Sequence, residues 1–344
     1  MALDIHMRVP PCAPAPEVAA FLTRCERAGL AGVGIVDSQL LLRDPFVTMA
    51  AAARATTTLR MATAVANPVT RHPSVLASAA KSVAEMAPGR VSVWIGRGYS
   101  AVRTIGVPAG STARMREAVE SIRALTSGDS VTFKEHVTSR MHHGGGDRVP
   151  VYIAATGPRT IRLAGEVADG LLLHVGVHPA FLAKALELLE EGASNAGRSL
   201  SDIDVIMAGS LILDDDLDAA RERLRPMCVQ RLVEPHHARW YGQLGITIDD
   251  YEVPQELWEL YPDIPHAEDW EKARRATSFL PEDALAMMCD AMGLIGPVEH
   301  CIRRLKDAEA AGIKRLYLMP VGTYELPVRE LEALERHIMP ALRG

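Results

Sequence analysis

The chain has 344 residues, with 37 Lys and Arg against 43 Asp and Glu for a formal net charge of −6; 48% of its residues are hydrophobic and 23% charged. These proportions describe a globular chain and exclude collagen, a disordered polymer and a disulfide-stapled miniprotein. The mild acidity speaks against a non-specific nucleic-acid binder, which carries a basic stripe, so no nucleic-acid partner is expected.

The opening MALDIHMRVPPCAPAPE lacks the apolar run of a leader, and no window reaches the ~18 apolar residues of a membrane span. Cys12, Cys25, Cys228, Cys289 and Cys301 are scattered and never form a CxxC pair, which fits a reducing compartment and no structural zinc. A cytoplasmic protein without membrane contact is expected.

In chain order, Leu3–Val9 reads as a strand and Glu17–Gly29 as a helix ending on glycine. Strand Gly32–Asp37 precedes a helix over Asp44–Thr57 started by Asp44-Pro45, and strand Leu59–Ala66 precedes helix Pro73–Met86, with proline in its first turn. Strand Arg90–Ile95, helix Thr112–Ser127 and an extended stretch at Val131–Val137 come next. Strand Val149–Ala155, helix Pro158–Ala168, strand Gly170–Val175 and helix Pro179–Ala196 continue the alternation, as do strand Ile203–Leu213 and helix Leu217–Cys228. Helix Val298–Ala311, strand Arg315–Met319 and helix Val328–Leu342 close it.

Eight strand–helix steps predict parallel strands with helical crossovers, hence a (β/α)8 TIM barrel spanning residues 1–344 as one domain. A Rossmann-like sheet with a second domain is the alternative. Residues 229–295 break the rhythm with Trp240, Tyr241, Trp258, Tyr261 and Trp270 among acids and long polar turns. They read as a helical insertion before the last strand, either a lid or a dimer contact, or else a longer connection without a functional role.

A barrel carries its active site where its strands end. After the fourth strand stands Gly96-Arg97-Gly98-Tyr99-Ser100-Ala101, a G-x-G-x-x-A string. Gly106, Pro108 and Gly110 follow, so no helix is expected to open at once as the dinucleotide fingerprint requires; a glycine loop near a ligand and a plain tight turn both remain open. After the fifth, Ala154-Ala155-Thr156-Gly157-Pro158-Arg159 leads into a helix whose free amides suit an anion, with a merely capped helix as the alternative. Asn67-Pro68-Val69-Thr70-Arg71-His72-Pro73 follows strand three, where Arg71 and His72 either face a substrate or are solvated. Asp37 is a lone acid at a strand end, costly to bury without a partner, so either a function or the capping of a turn explains it. His142-His143 and His236-His237 lack the spacing of a metal site, and no metal is expected.

Arg43-Asp44-Pro45, Asn67 to Pro73, Gly96-Arg97-Gly98 with Ser100, Ala154 to Arg159 and Ala164-Gly165-Glu166-Val167-Ala168-Asp169-Gly170, in this order and spacing, resemble the bacterial-luciferase-like flavin and deazaflavin oxidoreductases. The branch most similar is that of methylenetetrahydromethanopterin reductase; the resemblance runs from about Glu17 to Leu213 and resumes over Gly296–Pro320. It implies a barrel binding coenzyme F420, or FMN as in neighbouring branches, and a non-prolyl cis peptide around Ala64-Val65 behind the ring. It implies a cofactor phosphate held by the loop after strand four and the helix start at Gly157.

The cofactor-binding residues so implied are Ser38, Ala64, Val65, Asn67, Gly96, Arg97, Gly98, Ser100, Ala155, Thr156, Gly157, Pro158 and Arg159. Asp37 matches the acid after strand two, where the family often has Asp-His; here the pair is Asp37-Ser38, and Tyr99 stands where an acid is common. With no histidine beside Asp37, His174 and His72 become the remaining candidates, with Asp37, for catalysis. The expected function is F420-dependent hydride transfer to or from a small organic substrate. The alternatives are an FMN monooxygenase using oxygen and a non-catalytic cofactor-binding barrel. A homo-oligomer, dimer or larger, is expected.

Overall fold

The computed structural model describes residues 3–133 and 136–343. In chain order its strands are β1 (Asp4–Val9), β2 (Gly32–Ile35), β3 (Arg60–Ala66), β4 (Val91–Ile95), β5 (Ser130–Thr132), β6 (Thr138–Arg140), β7 (Val151–Ala155), β8 (Gly170–Leu173), β9 (Asp204–Leu213), β10 (Gly293–Gly296) and β11 (Arg315–Pro320). Neighbours β1, β2, β3, β4, β7, β8, β9 and β11 pair in parallel, and β11 pairs back onto β1, so these eight close a ring. This is the TIM barrel the alternation predicts, not the open sheet. β4 and β11 are four strands apart in either direction, on opposite sides of the mouth.

The ring is a packed core rather than a pore. Trp94 of β4 fills its centre, with ring centroids 6.0 Å from Tyr152 and 5.3 Å from Tyr317. Gly34 makes room, because a Cβ there would lie 2.6 Å from the Tyr317 hydroxyl. A second, larger apolar layer, with Met7, Ile35, Leu76 and Phe181 in it, fastens the helices to the ring. Helix starts follow the local signals. Asp44 caps Pro45–Ala55, its Oδ1 accepting from the amides of Phe46 and Val47 at 2.8 and 3.1 Å.

Three expectations need correction. The stretch 229–295 is not wholly an insertion and not wholly helical. The helix from Leu217 continues to Val233, shorter helical turns follow, and the end of the stretch is β10, which pairs with Ser210–Leu213 of β9 outside the ring. Its four residues, Gly-Leu-Ile-Gly, are too short for a pattern to register. Gly293 permits the approach, since a Cβ would meet the Ser210 carbonyl at 2.1 Å. A single helical turn, Ser100–Arg103, does open directly after Gly98, so the absence of a helix there is overturned. The extended stretch Val131–Val137 becomes the β5–β6 hairpin; its residues 134 and 135 lie outside the described residues.

The helix that starts at Gly157 is positioned by a glycine contact. Between helices Pro158–Val167 and Pro179–Asn195, a Cβ on Gly192 would come within 2.0 Å of the Arg162 carbonyl, and one on Gly165 within 2.3 Å of the Leu189 carbonyl. Backbone cannot yield as a side chain does. Gly192→Ala is therefore expected to cost at least about 1–3 kcal/mol in urea unfolding. Gly242→Ala, at a helical φ of −57° with nothing within 4 Å, is expected to change stability by less than about 0.5 kcal/mol. Equal midpoints for the two variants would show that the helices are not in this contact.

Candidate active site

A cavity of about 530 Å³ opens at the C-terminal ends of the strands, between the ring and the segment that follows β9. Arg8, Asp37, Asn67, Gly98, Thr156 and His174 bring their respective strand ends to it.

Asp37, just past β2, is buried, and both carboxylate oxygens accept from Arg71, Oδ2 from Nε at 3.0 Å and Oδ1 from Nη2 at 3.2 Å. The same Nη2 also donates to Asp44 at 2.8 Å. Burial pushes the Asp37 carboxyl above its ordinary value, while Arg71 pulls the other way; Asp44, less buried, is held below its ordinary value by Arg71 and two helix amides. Arg71 is thus a clamp between two loops, and Asp37 a cavity wall with its lone pairs engaged. His72 is corrected more fully: it does not line the cavity. It caps the helix Pro73–Met86, with Nδ1 accepting from the Ser74 amide at 3.2 Å, and its ring lies 5.4 Å from Phe133.

The wall over β3 and β4 agrees with the residues singled out there. Ala64, Val65, Asn67, Gly96, Arg97, Gly98 and Ser100 all line the cavity, and the Ala64–Val65 peptide bond is cis. Asn67 Oδ1 accepts from the amides of Val69 and Thr70 at 3.0 and 2.9 Å, which leaves Nδ2 buried with no partner among the described residues. Gly98 needs its φ of +92°, and a Cβ on Gly96 would touch the Val65 side chain at 3.0 Å. Arg97 Nε donates to the Gly110 carbonyl at 2.6 Å and ties down the loop. Ser38 lies behind this wall, its hydroxyl 2.8 Å from that of Ser100, and supports the cavity without lining it.

Across the mouth, Ala155 and Thr156 line the cavity, and the Thr156 carbonyl accepts from the Trp240 indole at 3.0 Å. Gly157 begins its helix without a side-chain cap. Gly157 and Pro158 border the cavity rather than line it, and Arg159 is exposed and is not among the lining residues.

His174 lines the cavity as expected, but its Nε2 accepts from Arg231 Nη2 at 2.8 Å. Arg231 also reaches His237, whose ring is 5.7 Å from that of His174 and 4.4 Å from that of His236. Burial first, then the Arg231 charge, pushes both His174 and His237 well below the ordinary histidine value. A neutral imidazole whose nitrogen already accepts a guanidinium proton is a poor proton donor, which counts against His174 in that role. Arg231, His236 and His237 were missed as cavity residues. Nothing in their neighbourhood separates a helix face turned to the mouth from one turned to the core; the adjacent histidines signalled only a failed metal tract. His266, also on the cavity wall, carried no signal at all.

Residues 4–315 match the family model described as luciferase-like monooxygenase. The chain is 30% identical to a 5,10-methylenetetrahydromethanopterin reductase of Methanolobus tindarius over 61% of this chain and 66% of that protein. It is 35% identical to an F420-dependent glucose-6-phosphate dehydrogenase of Beutenbergia cavernae over 63% of this chain and 65% of that protein, so these alignments span about two thirds of each relative. The structure of a coenzyme F420-dependent tetrahydromethanopterin reductase from Methanopyrus kandleri superposes with a TM-score of 0.77 at 21% identity, over 99% of this chain and all of that one. Among the described residues no helix is long and apolar enough to cross a membrane.

The Asp37–Arg71 pair generates a stability prediction. Arg71→Met leaves a buried carboxylate unpaired and is expected to destabilise the fold by about 3 kcal/mol at pH 7. Without Arg71 the Asp37 pKa rises further above its unfolded value. Stability is then greatest below the unfolded pKa and falls as pH rises through the folded one, so the deficit shrinks toward pH 4. Asp37→Asn added to Arg71→Met should recover much of the loss. Urea midpoints at pH 4 and 7 check this; a deficit independent of pH and unrelieved by Asp37→Asn would contradict it.

Proposed function

The chain belongs to the luciferase-like monooxygenase family, and from that premise we propose that it is an F420-dependent oxidoreductase moving a hydride between the deazaflavin ring and a small organic substrate. The observation that carries this reading is the buried, unpartnered Nδ2 of Asn67, set in a cavity wall trimmed to Gly96 and Gly98. An unpaired buried donor costs free energy unless a ligand supplies the acceptor, and the polar edge of a flat heterocycle supplies carbonyl oxygens. The names of the relatives, reductase and F420-dependent dehydrogenase, support the same choice.

When bound, the deazaflavin supplies the carbon that gives or takes the hydride; the chain's part is binding, orientation and proton handling. Ala64, Val65 and Gly96 would back the ring, Asn67 would donate to its polar edge, and the uncapped amides at Gly157 would receive the phosphate at a helix start. Arg71 holds Asp37 in place beside the ring site. The residues after β9 that wall the cavity, Glu234, His236 and His266 among them, favour a lid role for much of the 229–295 stretch.

Absorbance and fluorescence titrations with F420 and with FMN test the reading. F420 is expected to bind at least about tenfold more tightly, a gap of about 1.4 kcal/mol, and reduced FMN with the protein should consume no oxygen above background. Gly157→Asp, which sets a carboxylate at the helix start, is expected to weaken F420 binding by about tenfold or more with the fold intact. Tighter FMN binding with oxygen uptake would replace the proposal by a monooxygenase. F420 binding without turnover of any substrate offered would favour a binding protein.

A further inference from the structure

We infer that His266, held by Asp263, is the catalytic acid–base of this site: it takes the proton from a substrate O–H or N–H as hydride leaves the adjoining carbon, and returns it in the reverse direction. This rests on the F420 reading above.

Three observations converge on His266. Its Nδ1 lies 2.6 Å from Oδ1 of Asp263, a carboxylate whose side chain is only 2% exposed and whose other oxygen has no partner among the described residues. A buried carboxylate beside one ring nitrogen fixes the proton there and leaves Nε2 as the basic atom. Nε2 has no protein partner among the described residues and is not sealed off, and His266 lines the cavity.

The residue also spans the mouth. Its carbonyl accepts from the Tyr324 hydroxyl at 2.9 Å, in the loop after β11, while its ring lies 6.4 Å from that of Tyr99, just after β4. β4 and β11 are opposite strands of the ring. His266 is therefore part of a roof over the centre of the mouth, where a substrate lying on the cofactor ring would meet it.

Most other titratable groups of the cavity are committed, and Glu234 lies 3.6 Å from Arg103 and 3.8 Å from His236 Nδ1. Both oxygens of Asp37 are held by Arg71, and His174 and His237 accept from Arg231. His236 stands by Gly157, its Cβ 3.7 Å from where a glycine Cβ would be, at the phosphate end. Burial holds the Tyr99 hydroxyl well above its ordinary value.

The step balances without a further reactant. In the oxidising direction the substrate C–H electron pair departs with its hydrogen to the deazaflavin, the substrate X–H bond breaks, and a C=X bond forms. The proton goes to Nε2, and the imidazolium is paired with Asp263. The substrate class is an alcohol or amine, against a carbonyl or imine. A hydride added to a carbon without proton transfer at a neighbouring heteroatom is the contrasting chemistry.

The charged and titratable groups around His266 are Asp263 against its ring, Tyr99 beside its ring with Arg103 over the Tyr99 face, and Tyr324 on its carbonyl, with Glu234 close to Tyr99 and Glu268 close to Tyr324. Of these, only Asp263 is in hydrogen-bond contact with the ring.

The test uses the full chain labelled at histidine nitrogen. The 15N spectrum of the His266 ring, assigned with His266→Gln, is expected to show the Nδ1–H tautomer, and Asp263→Asn is expected to remove that preference. With F420 and a panel of secondary alcohols as probes, His266→Gln should reduce turnover by about a hundredfold or more while F420 affinity stays within about threefold. Asp263→Asn should move the acid limb of the pH profile to lower pH, which a merely structural role for the carboxylate would not do. An Nε2–H tautomer or full turnover in His266→Gln would overturn the inference. The tautomer decides whether or not the panel contains the substrate. Failure of the wild type to bind F420 would instead sink the cofactor assignment, separately from the state of the ring.

Discussion

Closure of the strand ring is the constraint on which the rest depends. Register between β11 and β1, from Asp4 against Arg315 to Met7 against Leu318, joins the two ends of a chain folded in eight steps. A parallel ring sends every strand end to one mouth, and its interior is sealed below by Trp94, Tyr152 and Tyr317. The cavity therefore has a floor of packed aromatics and walls of strand-end loops. Closure also sets β11 opposite β4, so that the segment tethered by Tyr324 and facing Tyr99 crosses the opening rather than flanking it.

Two arginines at this mouth show how differently a buried cation can be used. Arg71 is neutralised by Asp37 and Asp44, and its work is to hold two loops together. Arg231 is buried, yet its close partners are imidazoles, with no carboxylate within salt-bridge distance among the described residues. Burial first, and then its charge, push His174 and His237 below the ordinary histidine value. Asp263 against His266 lies on another side of the mouth from this guanidinium cluster.

The fold was legible because barrel strands buried on both faces read as short apolar runs, as in Val91–Ile95 and Gly170–Leu173. Asp44-Pro45, His72-Pro73 and Gly157-Pro158 marked helix starts that the structure bears out. β10 was not legible, because four residues cannot show a period and its pairing depends on a distant glycine contact. The glycine-rich half of the site was readable, since close backbone approach and positive φ demand a residue type. The histidine half was not. His72 looked chemical while serving as a helix cap, Arg159 is exposed and outside the cavity lining, and His266 sits in an irregular segment whose path over the mouth exists only in three dimensions.

The most direct test of the account is a crystal structure of the chain grown with oxidised F420. The ring is expected against Ala64, Val65 and Gly96, its polar edge within hydrogen-bond distance of Asn67 Nδ2, and the phosphate beside the amides at Gly157, beneath the roof that carries His266. A deazaflavin lying outside the mouth, or one that leaves Asn67 Nδ2 unpaired and the Gly157 helix start empty, would contradict it.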